Sequence, residues 1–204
     1  KMAFVATVLG FLLSLPLAVL SSRNLYSDRI AIPTRMLLAA IRTIPSLIWA
    51  ILFVIMVGLG PVPGVLAMTF YTIGYIGKLQ YEAIEGLSSS PLDAARAMGL
   101  GNIEIVERVV IPESANNLIS QCLFMFEYNV RQGSIVGIVG AGGLGTELFF
   151  YYDAQMYQRV MSLLIILFCV VVTIDLLSIK ARSYFVEDSN FKRPYIFGNI
   201  FKEK

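Results

Sequence analysis

The chain has 204 residues, 57% hydrophobic and only 15% charged, with a mean hydropathy of +0.73. Soluble domains carry about a quarter charged residues, so a chain this apolar cannot cover itself in water and reads as a membrane protein. The net charge of +2 is too small to argue for nucleic acid, and the lack of histidine removes His-based acid–base chemistry, Ser-His catalysis and His-ligated metals together.

In chain order, residues 2–22 are uncharged and long enough to cross about 30 Å of hydrocarbon as a helix. Pro16 within them is tolerable where neighbouring helices satisfy the freed carbonyl. A secretory leader is disfavoured, because the run is long and no A-x-A-like cleavage site ends it. A polar loop follows, with Arg23, Arg29 and Arg35 against Asp28. Residues 43–77 carry no charge at all. One straight helix of that length would measure roughly 52 Å, which overshoots the hydrocarbon core. The stretch "GLGPVPG", residues 58–64, breaks it, so a helical hairpin is expected over residues 36–57 and 62–79. Residues 80–113 form the one long polar stretch between spans. Residues 116–139 are apolar apart from Glu127 and Arg131, and a last span is expected over residues 160–177. Cys122 and Cys169 lie far apart inside apolar runs and read as small hydrophobes.

The expectation is an all-α polytopic membrane domain over residues 1–184 with five spans, followed by a charged cytoplasmic tail over residues 185–204. Lys and Arg concentrate in the first loop, the 80–113 loop and the tail, whereas residues 58–64 and 139–158 hold none. The positive-inside rule then puts the N-terminus outside, the C-terminus in the cytoplasm, and the two basic-free segments together on the outer side.

Gly140, Gly142 and Gly145 spell G-x-G-x-x-G. A dinucleotide site needs a strand before this pattern and an acidic residue about twenty positions after it. Here the later segment is "LIILFCVVV" and the preceding one is too long for a strand. Packing is the better reading. Gly133, Gly137 and Ala141 recur every four residues, which lets helix backbones approach, and the run through Gly140, Gly142, Gly143 and Gly145 lets the chain leave its helix. A plain turn and a gate fit equally well.

The loop segment "SPLDAARAMGLGNIEIVERVVIPES" suggests a short helix capped at Ser90, with Pro91 first and Asp93 in its first turn. Ala94, Ala95, Ala97 and Met98 give it a small-residue face, and Gly99 and Gly101 end it. A second piece sets Ile103, Val106, Val109 and Val110 against Glu104, Glu107 and Arg108, and Pro112 starts the next span. Such a helix suits either a groove on another protein or the lipid interface.

Asp93-Ala94-Ala95, then Gly99, then Val109, Ile111 and Pro112 resemble, at identical spacing, the E-A-A…G…I-x-L-P motif of permease subunits of type I ATP-binding-cassette importers. Asp stands for Glu, Val for Ile and Ile for Leu. The resemblance implies that Asp93, Ala94, Ala95, Arg96, Ala97, Met98 and Gly99, with Pro112, form the coupling helix and its sequel, docking on a partner ATPase. "TIGYIGKLQYEAIE" and "NVRQGSIVGIVGAGGLG" further resemble phosphonate importer permeases, although the G-A-G-G-L-G ending is shared with methionine importers. The family implies a second permease copy or sibling, an extracytoplasmic binding protein, and ATP with Mg held by the ATPase. The chain itself has no G-x-x-x-x-G-K-[ST] and is expected to be no enzyme and to hold no cofactor or metal.

Glu127 and Arg131 stand four residues apart in a span, so they are expected to pair. Arg131 is also a candidate for meeting a phosphonate-like anion, whose geometry a guanidinium matches. With Asn129 and the glycines Gly137, Gly140, Gly142, Gly143 and Gly145, this pair makes up the expected translocation path or gate. Arg42 and Asp175 are expected at cytoplasmic span ends, with Glu127 and Asp175 at different depths. The rivals are a methionine- or amino-acid-type importer permease, an intramembrane enzyme and a membrane scaffold.

Overall fold

The computed structural model describes residues 1–186, so most of the expected 185–204 tail lies outside the described residues. The helices run in order α1 (Met2–Ser21), α2 (Asp28–Thr43), α3 (Ser46–Val57), α4 (Pro61–Glu85), α5 (Ser89–Ala97), α6 (Asn102–Ile105), a π-helical turn (Val106–Val110), α7 (Ile111–Ile138), α8 (Leu144–Asp153) and α9 (Tyr157–Val186). No strand occurs among the described residues, which removes the dinucleotide fold outright.

α4 is the hub of the bundle and packs against α1, α2, α3 and α7. The face α1 turns to it is Ala6, Thr7, Gly10, Ser14, Ala18 and Ser21, a stripe of small and hydroxyl residues at helical spacing. A side chain at Gly10 would overlap Thr72, so this glycine sets how close the two helices come. The bulky residues of α1 point the other way: Phe4, Leu12 and Leu13 are more than half exposed. α9 likewise exposes Met161, Ile165 and Phe168. Large apolar groups outside and small or polar groups inside is the distribution expected when the surrounding solvent is hydrocarbon.

Only Met2–Ser21 and Tyr157–Ser183 are both long and apolar enough to cross a membrane among the described residues, and the bent pair α2–α3 adds at most a third. The expected five spans are corrected to two or three. α4 and α7 have the length, at 25 and 28 residues. They lack the hydropathy because they carry the polar groups of the interior, among them Thr72, Gln80 and Asn129.

The span expected at residues 36–57 is corrected as well: α2 and α3 meet at 85°. Pro45 disfavours a helical Ile44, which adopts φ −82° and ψ 119° and ends α2. Trp49 donates from Nε1 to the Ile41 carbonyl at 3.1 Å and braces the bend. The turn at residues 58–60 forms as expected, with Gly58 and Gly60 at φ +93° and +140°. Of the 80–113 loop, residues 80–85 belong to α4 and residues 111–113 to α7.

Two local expectations also change. The cap of α5 is Ser88 rather than Ser90, and Pro91 sits in the first turn, where a missing N–H costs nothing. The helix stops in a Schellman turn: the Leu100 amide donates to Ala95 O at 3.2 Å and the Gly99 amide to Arg96 O at 2.9 Å, with Gly99 at φ +79°. The stretch before Pro112 is a π turn continuous with α7. Proline has no N–H to give and its ring crowds the carbonyl four residues back, so the ladder widens there. Ile103, expected on the apolar side, is 77% exposed, and Ile105 and Val110 fill the interior instead.

Candidate functional site

The α5 helix is fastened to the ends of three longer helices. Leu92 and Ala95 are buried against Ala18 of α1, Leu25, Ile84 of α4, Ile105 and Val110. Polar ties surround this seat. Asn24 Nδ2 donates to the Ile84 carbonyl at 2.8 Å and Asn102 Nδ2 to the Leu25 carbonyl at 3.1 Å. Arg96 reaches the Asn24 carbonyl and also pairs with Asp93 at 3.1 Å. Glu85 accepts from the Arg23 amide at 2.7 Å and from Arg35, whose guanidinium lies 4.5 Å from the Tyr81 ring centre. The opposite face, Asp93, Ala94, Ala97, Met98 and Gly99, is exposed, Met98 at 72%. Of the residues expected to meet a partner, Ala95 and the α7 residue Pro112 do not share that face: Ala95 is a seat residue at 0% exposure.

The glycine cluster forms a junction at the other end of α4. The Gly60 amide donates to the Gly140 carbonyl at 3.0 Å, which joins the α3–α4 turn to the α7–α8 turn. A Cβ at Gly142 would lie 3.0 Å from Pro61 Cα, and one at Gly137 would lie 2.7 Å from Gly145 Cα. Thr146 closes the turn, donating from Oγ1 to the Gly137 carbonyl at 2.8 Å. Gly140, Gly142 and Gly143 hold φ of +80° to +84°. Gly133, by contrast, faces open space, so the expected four-residue packing repeat holds at Gly137 and not there. The junction and the α5 seat are separated by the whole of α4, about 36 Å at 1.5 Å per residue.

Between these ends lie the charges. Arg131 pairs with Asp175 of α9 at 2.8 Å, and its contact with Glu127 is the longer one at 3.8 Å. Glu127, nearly buried, pairs chiefly with Arg182 of α9. The expected i, i+4 pair is thus one side of a four-group cluster that clasps α9 to α7. Asp175 shares Arg131 with Glu127, which corrects the expectation that the two carboxylates lie at different depths. Each carboxylate faces a guanidinium rather than the other carboxylate, which is the geometry of an ion-pair clasp and not of a paired-carboxylate catalytic site. Asn129 is fully buried and donates to Thr7 Oγ1 at 2.9 Å and Thr72 Oγ1 at 3.0 Å, tying α7 to α1 and α4. Two turns further along the same helices, Ser14 donates to Gln80 Oε1 at 2.8 Å.

Several of these residues escape a reading of charge and glycine alone. Asp175 and Arg182 stand seven apart on α9, which places them on one face, and Glu127 and Arg131 stand four apart on α7. That matched spacing was the available signal for the clasp. Thr7, Thr72, Gln80 and Asn129 carry no signal singly, because hydroxyls and amides in apolar helices are common.

Comparison with known proteins bears on the whole assembly of features. The description of the binding-protein-dependent transport system inner membrane component family matches residues 10–182. The phosphite transport system permease protein PtxC of Stutzerimonas stutzeri is 34% identical over 185 residues, covering 90% of this chain and 67% of that protein. The phosphate-import permease protein PhnE of Mycolicibacterium smegmatis is 36% identical over 184 residues, covering 89% of this chain and 34% of that protein. Among solved structures, an inward-facing MetNI methionine ABC transporter matches with a TM-score of 0.75 at 25% identity, covering 90% of this chain and 91% of the matched one.

Proposed function

The chain belongs to the binding-protein-dependent transport system inner membrane component family, and from that premise we propose that it is the permease of an importer that carries a phosphorus oxyanion across the cytoplasmic membrane. A partner ATPase supplies the energy, an extracytoplasmic binding protein delivers the substrate, and a second copy of this chain or a sibling permease completes the pathway. The seat of α5 carries this reading. A nine-residue helix locked by Leu92 and Ala95 to the ends of the bundle, with Ala94, Ala97 and Met98 left bare, transmits a push as a rigid body. Arg23, Arg29, Arg35, Arg96 and Arg108 gather at that end, which supports a cytoplasmic α5 under the positive-inside rule.

In this mechanism ATP closes the ATPase dimer and α5 moves with it. The ends of α1, α2 and α4 follow through Asn24, Arg35 and Glu85, and the bundle reopens outward. The glycine junction stands at the far end of α4, where packing without side chains lets the α3–α4 and α7–α8 turns separate and re-form as a gate. Asn129 holds the middle of the bundle in register. Glu127 and Arg131 anchor α9. Resemblance to phosphite and phosphate importers supports a phosphorus oxyanion over methionine; the likeness to MetNI favours the amino-acid alternative only through the fold.

The test is co-purification with cysteine crosslinking. Ala94→Cys and Met98→Cys are expected to crosslink to the ATPase and Ala95→Cys to stay unreactive. A purified transporter that carries no ATPase, or an α5 unreactive at all three positions, refutes the assignment.

A further inference from the structure

Arg42 does not sit where a charge at the end of a span belongs. A Cβ added at Gly74 would lie 2.8 Å from the Arg42 amide nitrogen and 2.9 Å from its Cβ. Gly74 is the fourteenth of the 25 residues of α4, so Arg42 stands at the middle of that helix, roughly equidistant from the glycine junction and the α5 seat. It arrives there because Pro45 stops α2 halfway along the bundle, and the Trp49 bond to Ile41 fixes that stop.

The surroundings are polar and aromatic. Tyr71 stands three residues before Gly74, one turn along α4 and on the same side of that helix as the point where Arg42 packs. The Tyr71 ring stacks on Tyr128 with centroids 5.3 Å apart. The Tyr128 hydroxyl accepts from Gln132 Nε2 at 2.9 Å, and Gln132 Oε1 accepts from Ser46 Oγ at 3.1 Å. Arg42 is exposed, and Tyr71, Tyr128 and Gln132 are half-buried. This face therefore differs in kind from the outward faces of α1 and α9, which carry Phe, Leu, Ile and Met. Hydrocarbon does not accept a guanidinium and a row of phenols at mid-depth, so the face belongs against water or a second copy.

Charge balance and position together separate Arg42 from the other arginines. Arg23, Arg35, Arg96, Arg131 and Arg182 each pair with a carboxylate. Among the described residues no carboxylate pairs with Arg42, and its guanidinium makes no hydrogen bond. Arg29, Arg108 and Arg159 also pair with no carboxylate among the described residues, but they lie in the first turn of α2, in the π turn and at the start of α9, whereas Arg42 packs against the middle of α4. The dipole at the end of α2 favours a cation there but does not neutralise one. Arg131, the residue whose charge type suggests an anion contact, already faces two carboxylates and has little positive field left to offer.

We propose that Arg42, at the α2–α3 bend and against the side of α4 that carries Tyr71 with its linked Tyr128 and Gln132, is the group that an oxyanion meets midway through the pathway. This rests on the importer reading above and names the contact within it. A guanidinium suits the tetrahedral oxyanion by charge and by its paired N–H groups, and neutral phenol and amide donors hold the anion without trapping it.

The experiment uses the complete transporter, with its ATPase and binding protein, in proteoliposomes, and measures uptake of phosphite, inorganic phosphate and methylphosphonate. Arg42→Gln is expected to lower uptake of the carried anion at least tenfold while binding-protein-stimulated ATP hydrolysis stays within twofold of wild type. Arg42→Lys is expected to recover much of the uptake. Uptake within twofold of wild type in Arg42→Gln overturns the proposal. So does joint loss of uptake and stimulated hydrolysis in both variants, which marks a structural residue. A wild-type transporter that carries none of the three anions instead overturns the importer reading on which the contact depends.

Discussion

Replacing Leu92 by Ala removes the centre of the α5 seat. Leu92 is 3% exposed and packs with Ala18, Leu25, Ile84, Ile105 and Val110. Three buried carbons at about 0.8 kcal/mol each give about 2.4 kcal/mol of lost transfer energy. The cavity left behind raises this to roughly 3 kcal/mol or more if the seat does not collapse. A change of about 3 kcal/mol shifts the seated-to-unseated ratio on the order of 100-fold. The helix cannot make up the difference alone, because one of nine residues is too short to persist in isolation. ATP-driven uptake in proteoliposomes is therefore expected to fall at least tenfold in Leu92→Ala, while the partner ATPase continues to hydrolyse ATP. The crosslink from a cysteine at Met98 should broaden to several ATPase positions as α5 loses its fixed pose. Wild-type uptake together with a single wild-type crosslink would refute the idea that the seat transmits the motion.

Gly137→Val is expected to wedge the glycine junction, since even its Cβ would lie 2.7 Å from Gly145 Cα and from the Thr146 amide. Overpacking of this kind costs about 1–3 kcal/mol, read as a lower midpoint of thermal aggregation in detergent; an unchanged midpoint contradicts the packing. The α7–α9 clasp is tested by a double-mutant cycle on Arg131→Gln and Asp175→Asn, with the half-exposed pair expected to couple by about 1 kcal/mol. Strictly additive losses in the same aggregation assay would show that the pair does not hold α9.

The spacing from Asp93 to Pro112 was enough to find α5, because its chemistry is local: a proline in the first turn, a left-handed glycine at Gly99 and an alternation of seat and surface. Which side was which was not legible. Ala94 and Ala95 are the same residue type, and only the partner surfaces at Ile84 and Ile105 decide that Ala95 goes inward. The glycine pattern excluded a nucleotide from sequence alone, since what surrounds it is wrong for a strand. The lack of Lys and Arg in both turns put them on one side, but their contact through the Gly60 amide and the Gly140 carbonyl was not legible in the sequence. The span count misled because an uncharged run measures length, not direction, and a single Pro45 turns α2 into α3 by 85°. The same error put Arg42 at a span end. The Glu127–Arg131 pair was misread because helix spacing shows which residues can meet on one helix, whereas Arg182 and Asp175 come from another helix and compete better for both.

The inward stripe of α1 has a consequence for how this fold tolerates change. Its seam is its least greasy surface, so exclusion of water cannot be what draws the helices together; close fit between backbones and a few hydroxyl bridges must do it. Trimming the outward Leu12 or Leu13 should barely be felt, while enlarging the hidden Ser14 by one methyl group would pry two backbones apart. In such a protein the bulky exterior is expected to tolerate substitution, and the plainest, smallest residues are expected to be the least replaceable.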